Sequence, residues 1–312
     1  MKNFTNYEDY DKKEHMKFGS RAVHGALGIE PLTGSVSFPI FQTATFRFRG
    51  LQDSLGFDYT RLQNPTIQEL ERTVAMLEEG EHCLALASGM AAAMCVFSLL
   101  RPNDHIILSD DIYGGTYEIA NSVLIDNGIE RTFDDLSIFE EFEKNIKPNT
   151  KMVFIETPTN PMMKVADIAR ISELAHKHGI IVVVDNTLMT PYYQRPLTLG
   201  ADIVMHSGTK YLEGHNDTMA GFVVTKTNEY VEELRKFLTY QGACLAPLNA
   251  WLTLRGIKTL EIRMERHNSN TKKVAEFLRN QPKVTKVYYV GFSDHKDYEV
   301  QTRQASGFGG ML

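Results

Sequence analysis

Lys210 closes the run Ser207-Gly208-Thr209-Lys210, directly after the apolar stretch Ile203-Val204-Met205. Asp185 stands in a matching place, at the end of Ile180-Ile181-Val182-Val183-Val184. An amine and a carboxylate, each ending a strand-like run, suit a ligand with an aldehyde for the one and a basic ring nitrogen for the other. Alone, a strand-end lysine is ordinarily a solvated surface residue, and Asp-Asn-Thr at 185–187 is good turn chemistry. The combination with the small hydroxyl residues Ser207 and Thr209 is what points to chemistry.

Further candidates share that polarity. Ser88-Gly89-Met90 lies between strand-like Cys83–Ala87 and the apolar, helix-like Ala91–Leu100. Glycine there permits close backbone approach, and the first amides of a helix attract phosphate, with Ser207 and Thr209 as two more phosphate donors. Tyr113-Gly114-Gly115-Thr116 follows His105–Ser109; it reads either as a glycine turn beside a half-buried tyrosine or as a ring laid over a cofactor face. Tyr59-Thr60-Arg61 precedes Asn64-Pro65, and Arg61 is either a solvated charge or a phosphate clamp. Asn160, in the proline-stiffened loop Glu156-Thr157-Pro158-Thr159-Asn160-Pro161, can donate to a cofactor oxygen. Pyridoxal 5'-phosphate (PLP) needs this donor set: an amine for its aldehyde, an anion for its pyridinium nitrogen, and hydroxyls and amides for its phosphate. On this reading Asp185 keeps the ring nitrogen protonated. His206 and His215 flank the lysine segment but lack HExxH spacing or clustered acids, so no metal site is assigned.

These residues must be held by alternating elements. Strands are predicted at Cys83–Ala87, His105–Ser109, Lys151–Glu156, Ile180–Asp185, Asp202–His206 and Gly221–Thr225. Several are apolar on consecutive residues, as in parallel strands covered on both faces. Between two of them Ile168, Ile171 and Leu174 recur at helical spacing, with Gly179 as C-terminal cap. A second helix opens at Asn64-Pro65-Thr66, with Glu69 completing a capping box on Thr66 and Gly80 closing it. Such alternation predicts a doubly wound α/β sheet with ligands beyond the carboxyl ends of the strands. Residues 1–57 show little periodicity and read as an arm, residues 58–246 as the large domain, and residues 247–312 as the start of an α+β C-terminal domain. In that last part Leu248–Asn280 reads as one long helix, Val284–Val290 as a strand, and Gly309-Gly310-Met311-Leu312 as the opening of a further strand.

Composition narrows the class. The 312 residues carry 43% hydrophobic and 23% charged residues, ordinary for a globular protein, and the net charge of −6 gives no footprint for nucleic acid or an anionic membrane. No apolar run approaches the roughly 20 residues of a membrane helix, and the polar start, Met1–Gly19, reads as neither signal peptide nor lipid anchor. Three widely spaced cysteines, Cys83, Cys95 and Cys244, read as reduced residues of a cytoplasmic protein.

Several of these motifs, taken in order, resemble one family. Tyr59-Thr60-Arg61, Asn64-Pro65-Thr66, Ala87-Ser88-Gly89-Met90, Tyr113-Gly114-Gly115-Thr116, Glu156 to Pro161, Asp185-Asn186-Thr187, Ser207 to Tyr211, Gly214-His215 and Arg255-Gly256 are similar to the Cys/Met-metabolism PLP-dependent enzymes. That group comprises cystathionine γ-lyase, cystathionine γ-synthase, methionine γ-lyase and O-acetylhomoserine sulfhydrylase. The resemblance implies the aspartate-aminotransferase-like fold (PLP fold type I) and a homotetramer built as a dimer of dimers. It implies that Lys210 carries the cofactor and shuttles protons, that Asp185 pairs with the pyridinium, and that Tyr113 stacks on the ring and assists proton transfer. Ser88, Gly89, Met90, Ser207 and Thr209 would hold the phosphate within one subunit, and Tyr59 and Arg61 would reach it from the neighbour. The implied reaction is γ-elimination or γ-replacement on a small sulfur-containing or activated homoserine amino acid. Cystathionine γ-lyase or γ-synthase chemistry stands first, and O-acetylhomoserine sulfhydrylase next. Gly115, where methionine γ-lyases commonly have cysteine, lowers that alternative. Family members continue beyond the Gly-Gly strand, and the arginine for the substrate α-carboxylate is expected past residue 312. A non-catalytic PLP-binding subunit is therefore the alternative from another class.

Overall fold

The computed structural model describes residues 16–27, 30 and 32–312; the first part of the expected arm, 1–15, lies outside them. The elements in chain order are α1 (Phe18–His24), α2 (Pro65–Glu78), β1 (His82–Leu86), α3 (Gly89–Phe97), β2 (His105–Ser109), α4 (Gly114–Asn121), α5 (Val123–Asp126) and β3 (Glu130–Asp134). They continue with α6 (Phe139–Asn145), β4 (Thr150–Glu156), α7 (Ile168–Lys177), β5 (Ile181–Asp185), α8 (Thr190–Tyr193), β6 (Ile203–Ser207) and β7 (Gly221–Thr225). Four helices follow: α9 (Val231–Gln241), α10 (Pro247–Ile257), α11 (Leu260–Arg279) and α12 (Tyr298–Gln304).

The seven strands form one sheet in the order β1-β7-β6-β5-β4-β2-β3. β7 is antiparallel to both its neighbours and the other ladders are parallel. Six strands thus point their carboxyl ends to one edge, and β7 begins there. The pleat sorts side chains between two faces. Ile203, Met205, Val183, Phe154, Leu108 and Leu84 pack on one face with Ala92, Ala93 and Val96 of α3. On the other face, Val204, Phe222 and Val224 pack with Leu70, Val74 and Leu77 of α2, and Val153, Val182 and Val184 pack with Ile171 and Ala175 of α7. At about 1.5–3 kcal/mol for each fully buried aliphatic side chain, this core is the main support for the polar edge.

The six predicted strands form within a residue or two of their expected bounds. β3 was not expected: Glu-Arg-Thr-Phe-Asp has little apolar alternation, and its backbone is ordered by one-sided pairing with β2 at the sheet edge. Other expectations need correction. Asn64, not Thr66, caps α2, its side chain accepting from the Thr66 amide at 3.0 Å. Glu69 instead accepts from the Leu27 amide at 3.0 Å, tying the arm to α2, so no capping box forms. The long helix after residue 247 is two helices. Arg263 and the Thr259 hydroxyl both donate to the Gly256 carbonyl, ending α10. Gly256 lies against Glu213, where a Cβ would sit 2.1 Å from the Glu213 carbonyl oxygen. Val284–Val290 carries no ladder; among the described residues no strand pairs with it, and an unpaired strand has no hydrogen bonds to keep it regular.

Candidate active site

Asp185 and Lys210 meet at the carboxyl edge. β5 and β6 are neighbours with Asp185 opposite Met205, so Asp185 and the 207–210 turn lie side by side. They line one cavity of about 280 Å3 together with Ser88, Gly89, Met90, Tyr113, Asn160, Ser207 and Thr209. Nine of the eleven residues expected from the sequence are thereby brought together.

Each is placed by local chemistry. Ser88 caps α3, its hydroxyl accepting from the Ala91 amide at 3.1 Å. The first amides of α3 then face the cavity without a partner inside the helix. Gly89 is obligatory, because a Cβ there would sit 2.7 Å from the Ser207 Cβ. Gly221, the first residue of β7, is equally constrained by the Ser88 carbonyl oxygen, 2.0 Å from its virtual Cβ. Asp185 is buried, and its Oδ1 accepts from the Thr187 amide (3.0 Å) and hydroxyl (2.5 Å). Thr187 Oγ1 in turn accepts from the Ser207 amide at 2.8 Å, linking the acid to the turn that carries Lys210. Burial pushes the Asp185 carboxyl above its ordinary value, against the Thr187 hydrogen bonds and nearby His206. No protein hydrogen bond engages its Oδ2 among the described residues.

Glu156 was not singled out by sequence reasoning. It ends β4, pairs in register with Asp185 and lines the same cavity. Burial, with the Asp185 charge beside it, pushes its carboxyl up to about 8, although two backbone amides oppose the rise. The signal existed: like Asp185, it is an acid ending an apolar run. Thr116, Thr187, Leu188, Met205 and Met219 also line the cavity and carried no such signal.

Tyr59 and Arg61 do not reach this cavity within their own chain. Arg61 donates to the Thr239 carbonyl at 2.6 Å, with its guanidinium 5.3 Å from the Tyr59 ring centroid, and both residues are exposed. His206 lies away from the cavity, fully buried against Glu78 at 2.5 Å on the opposite face of the sheet.

The donor set fits PLP. A buried carboxylate, a helix N-terminus, two hydroxyl residues and a lysine line one cavity. Gly89 and Gly221 keep the phosphate end free of side chains, and Lys210 makes no ion pair among the described residues. Sheet and cavity together define a PLP-dependent enzyme of the aspartate-aminotransferase-like class.

The particular family follows from comparison. The model of the Cys/Met metabolism PLP-dependent enzymes matches residues 20–312, and the chain belongs to that family. It is 48% identical over 297 residues to cystathionine gamma-lyase of Bacillus subtilis (strain 168), covering 95% of this chain and 78% of the relative. It is 45% identical over 293 residues to cystathionine beta-lyase of Lactococcus lactis subsp. cremoris (strain MG1363), covering 94% and 77%. The crystal structure of cystathionine gamma-lyase from Lactobacillus plantarum complexed with L-serine superposes with a TM-score of 0.92 at 41% identity, covering 95% of this chain and 77% of that one. The protein is thus a PLP-dependent enzyme of sulfur amino-acid metabolism, and its chemistry is trans-sulfuration.

Proposed function

We propose that the chain acts on cystathionine or an activated homoserine by γ-elimination or γ-replacement, as cystathionine γ-lyase or γ-synthase does. The observation that carries this reading is the convergence of Lys210, Asp185 and the N-terminus of α3 on one cavity. When bound there, PLP supplies an electron sink that acidifies the substrate α-proton. Asp185 would hold the ring nitrogen and keep it protonated, while Thr187 fixes that carboxylate through its Oδ1. Ser88, the amides of Gly89 and Met90, Ser207 and Thr209 would hold the phosphate. The Lys210 amine, on the cavity wall, takes the proton from the α-carbon, and removal of a second proton at the β-carbon expels the γ-substituent. Tyr113 would cover the bound ring and assist proton transfer, and Asn160 would donate a hydrogen bond to it. At position 115 a Cβ would sit 2.7 Å from both Met90 Sδ and the Tyr113 ring, which supports the reading against a cysteine-bearing methionine γ-lyase site.

The test is a product assay over cystathionine, methionine, cysteine and O-acetylhomoserine with sulfide. Release of cysteine and a 2-oxo acid from cystathionine, or a thioether made from activated homoserine, is expected. Pyruvate with homocysteine would replace the γ reading with β-cleavage. A protein that is yellow yet turns over none of these would be a binding subunit. Lys210→Ala is expected to abolish the lysine-linked absorbance and to cut turnover by roughly 10^4-fold or more.

The same proposal includes a homo-oligomer, a dimer of dimers, whose site is completed across subunits. Leu32, Val36, Leu51 and Leu55 are 62–97% exposed along the segment that ends in Tyr59 and Arg61, a density of bare apolar side chains that supports burial against a second copy. Tyr59 and Arg61 would then clamp the phosphate of the neighbour. Arg61→Ala is expected to weaken PLP retention; unchanged affinity would remove the shared-site claim. The arm, the large domain at 58–246 and the C-terminal part from 247 are proposed on the same likeness. A cytoplasmic location is proposed too, supported by three free cysteines, two of them buried. No described helix is long and apolar enough to cross a membrane.

A further inference from the structure

We infer that Glu156 is a positioning residue, which fixes the Tyr113 ring and the Asn160 amide relative to Lys210 and Asp185. The inference rests on the PLP reading of the cavity and adds a residue to it. Glu156 Oε2 accepts from the Tyr113 amide at 2.8 Å and Oε1 from the Asn160 amide at 3.0 Å. One carboxylate therefore staples together two loops that approach the cavity from different strands. Its own place is rigid: β4 pairs on both sides, and the Glu156 amide donates to Ser109 Oγ at 3.1 Å.

The loops need such a staple. Tyr113 is 47% exposed and stacks on no other ring among the described residues. It precedes α4 without a side-chain cap, and the following Gly114 offers nothing for a Cβ to touch within 4 Å. The ring lies beside Gly115 without an aromatic partner, and its root is set by two backbone hydrogen bonds, one from its own amide to Glu156 and one from the Tyr117 amide to its carbonyl. Asp111 adds a second link between the loops, accepting from the Thr159 hydroxyl at 2.6 Å and the Met162 amide at 2.8 Å, but it reaches neither Tyr113 nor Asn160.

Only a carboxylate of this length serves. The Tyr113 and Asn160 amides meet separate oxygens of the one side chain, whereas glutamine offers a single oxygen and turns its NH2 toward the other N–H. Aspartate is one methylene short. The choice is made against an electrostatic cost, since the neighbouring strand end already carries Asp185 and the pair is buried. A residue needed only for β4 packing would be cheaper as an aliphatic side chain.

The test uses the PLP-loaded holoenzyme. Glu156→Gln is expected to keep the lysine-linked absorbance but to change the visible circular dichroism of that band, which reads ring geometry independently of turnover. Its kcat should fall on the order of 10- to 100-fold with KM little changed, the size expected when a reacting group is displaced by about an ångström. In a Tyr113→Ala background the same substitution should cost far less, because the ring it positions is gone. Wild-type dichroism and kcat in Glu156→Gln, or an equal loss in both backgrounds, would overturn the inference. Should Glu156→Gln fail to fold, Glu156→Asp gives the same readings with the charge retained. If Lys210→Ala keeps the lysine-linked absorbance, the cofactor reading itself fails, an outcome distinct from a silent Glu156→Gln.

Discussion

Two buried acids lie on opposite faces of the same sheet, and their company differs. Glu78, on the α2 face, is fully buried with its Oε1 against His206 Nε2 at 2.5 Å and the Asn186 side-chain amide at 2.8 Å. Asn186 is held in turn by Gln194. On the cavity face, Asp185 has another acid, Glu156, as its strand neighbour and no cation of the chain in contact. The first arrangement pairs one carboxylate oxygen with a histidine and an amide of the chain itself and belongs to the scaffold. The second carries excess negative charge that burial penalises, and a cation from outside relieves it; a pyridinium nitrogen is such a cation. The lesson is that an acid's burial alone says little, and the sign of its neighbour separates support from site.

The contrast can be broken from either side. The largest effect is expected on the α2 side: Glu78→Gln removes the charge that His206 faces in a dry setting and should cost about 3–5 kcal/mol in denaturant unfolding, leaving kcat of the folded fraction nearly intact. Asp185→Asn should do the reverse. Cofactor-free stability should hold or rise, since one of two like charges is gone, while turnover falls by roughly 100-fold or more. Equal stability losses in the two variants would erase the distinction. The smallest effect is the pH slope of the cofactor-free protein. A carboxyl held above its ordinary value binds its proton more tightly folded than unfolded, so stability is retained at low pH and lost as pH rises. For Glu156 that loss should run from about 4.5 to about 8, and Glu156→Gln should flatten it; a wild-type slope of the opposite sign in that window would contradict the carboxylate pair.

Much of the scaffold was legible. The six strands with consecutive apolar residues announced themselves, because a strand buried on both faces has no room for polar side chains. β3 did not, since an edge strand with Glu130 and Arg131 owes its order to the partner it pairs with rather than to its own pattern. Val284–Val290 shows the converse: a suitable composition without a partner gave no strand. In the site, hydroxyls, glycines, Lys210 and Asp185 were readable as donors and acceptors of a particular ligand. Glu156 was passed over because its role lies in backbone amides 43 residues before it and 4 after it, contacts that leave no mark on side-chain type.

By itself, then, the order of residues determined the inventory: which strands could be buried, which glycines opened room for a phosphate, and that an amine and an acid ended neighbouring candidates. Tertiary structure alone decided which acids face each other, because register across β4, β5 and β6 is set by how whole side-chain faces pack. That pairing makes Asp185 and Glu156 a receptive site, while Glu78, another buried carboxyl, faces His206 on the opposite side of the sheet.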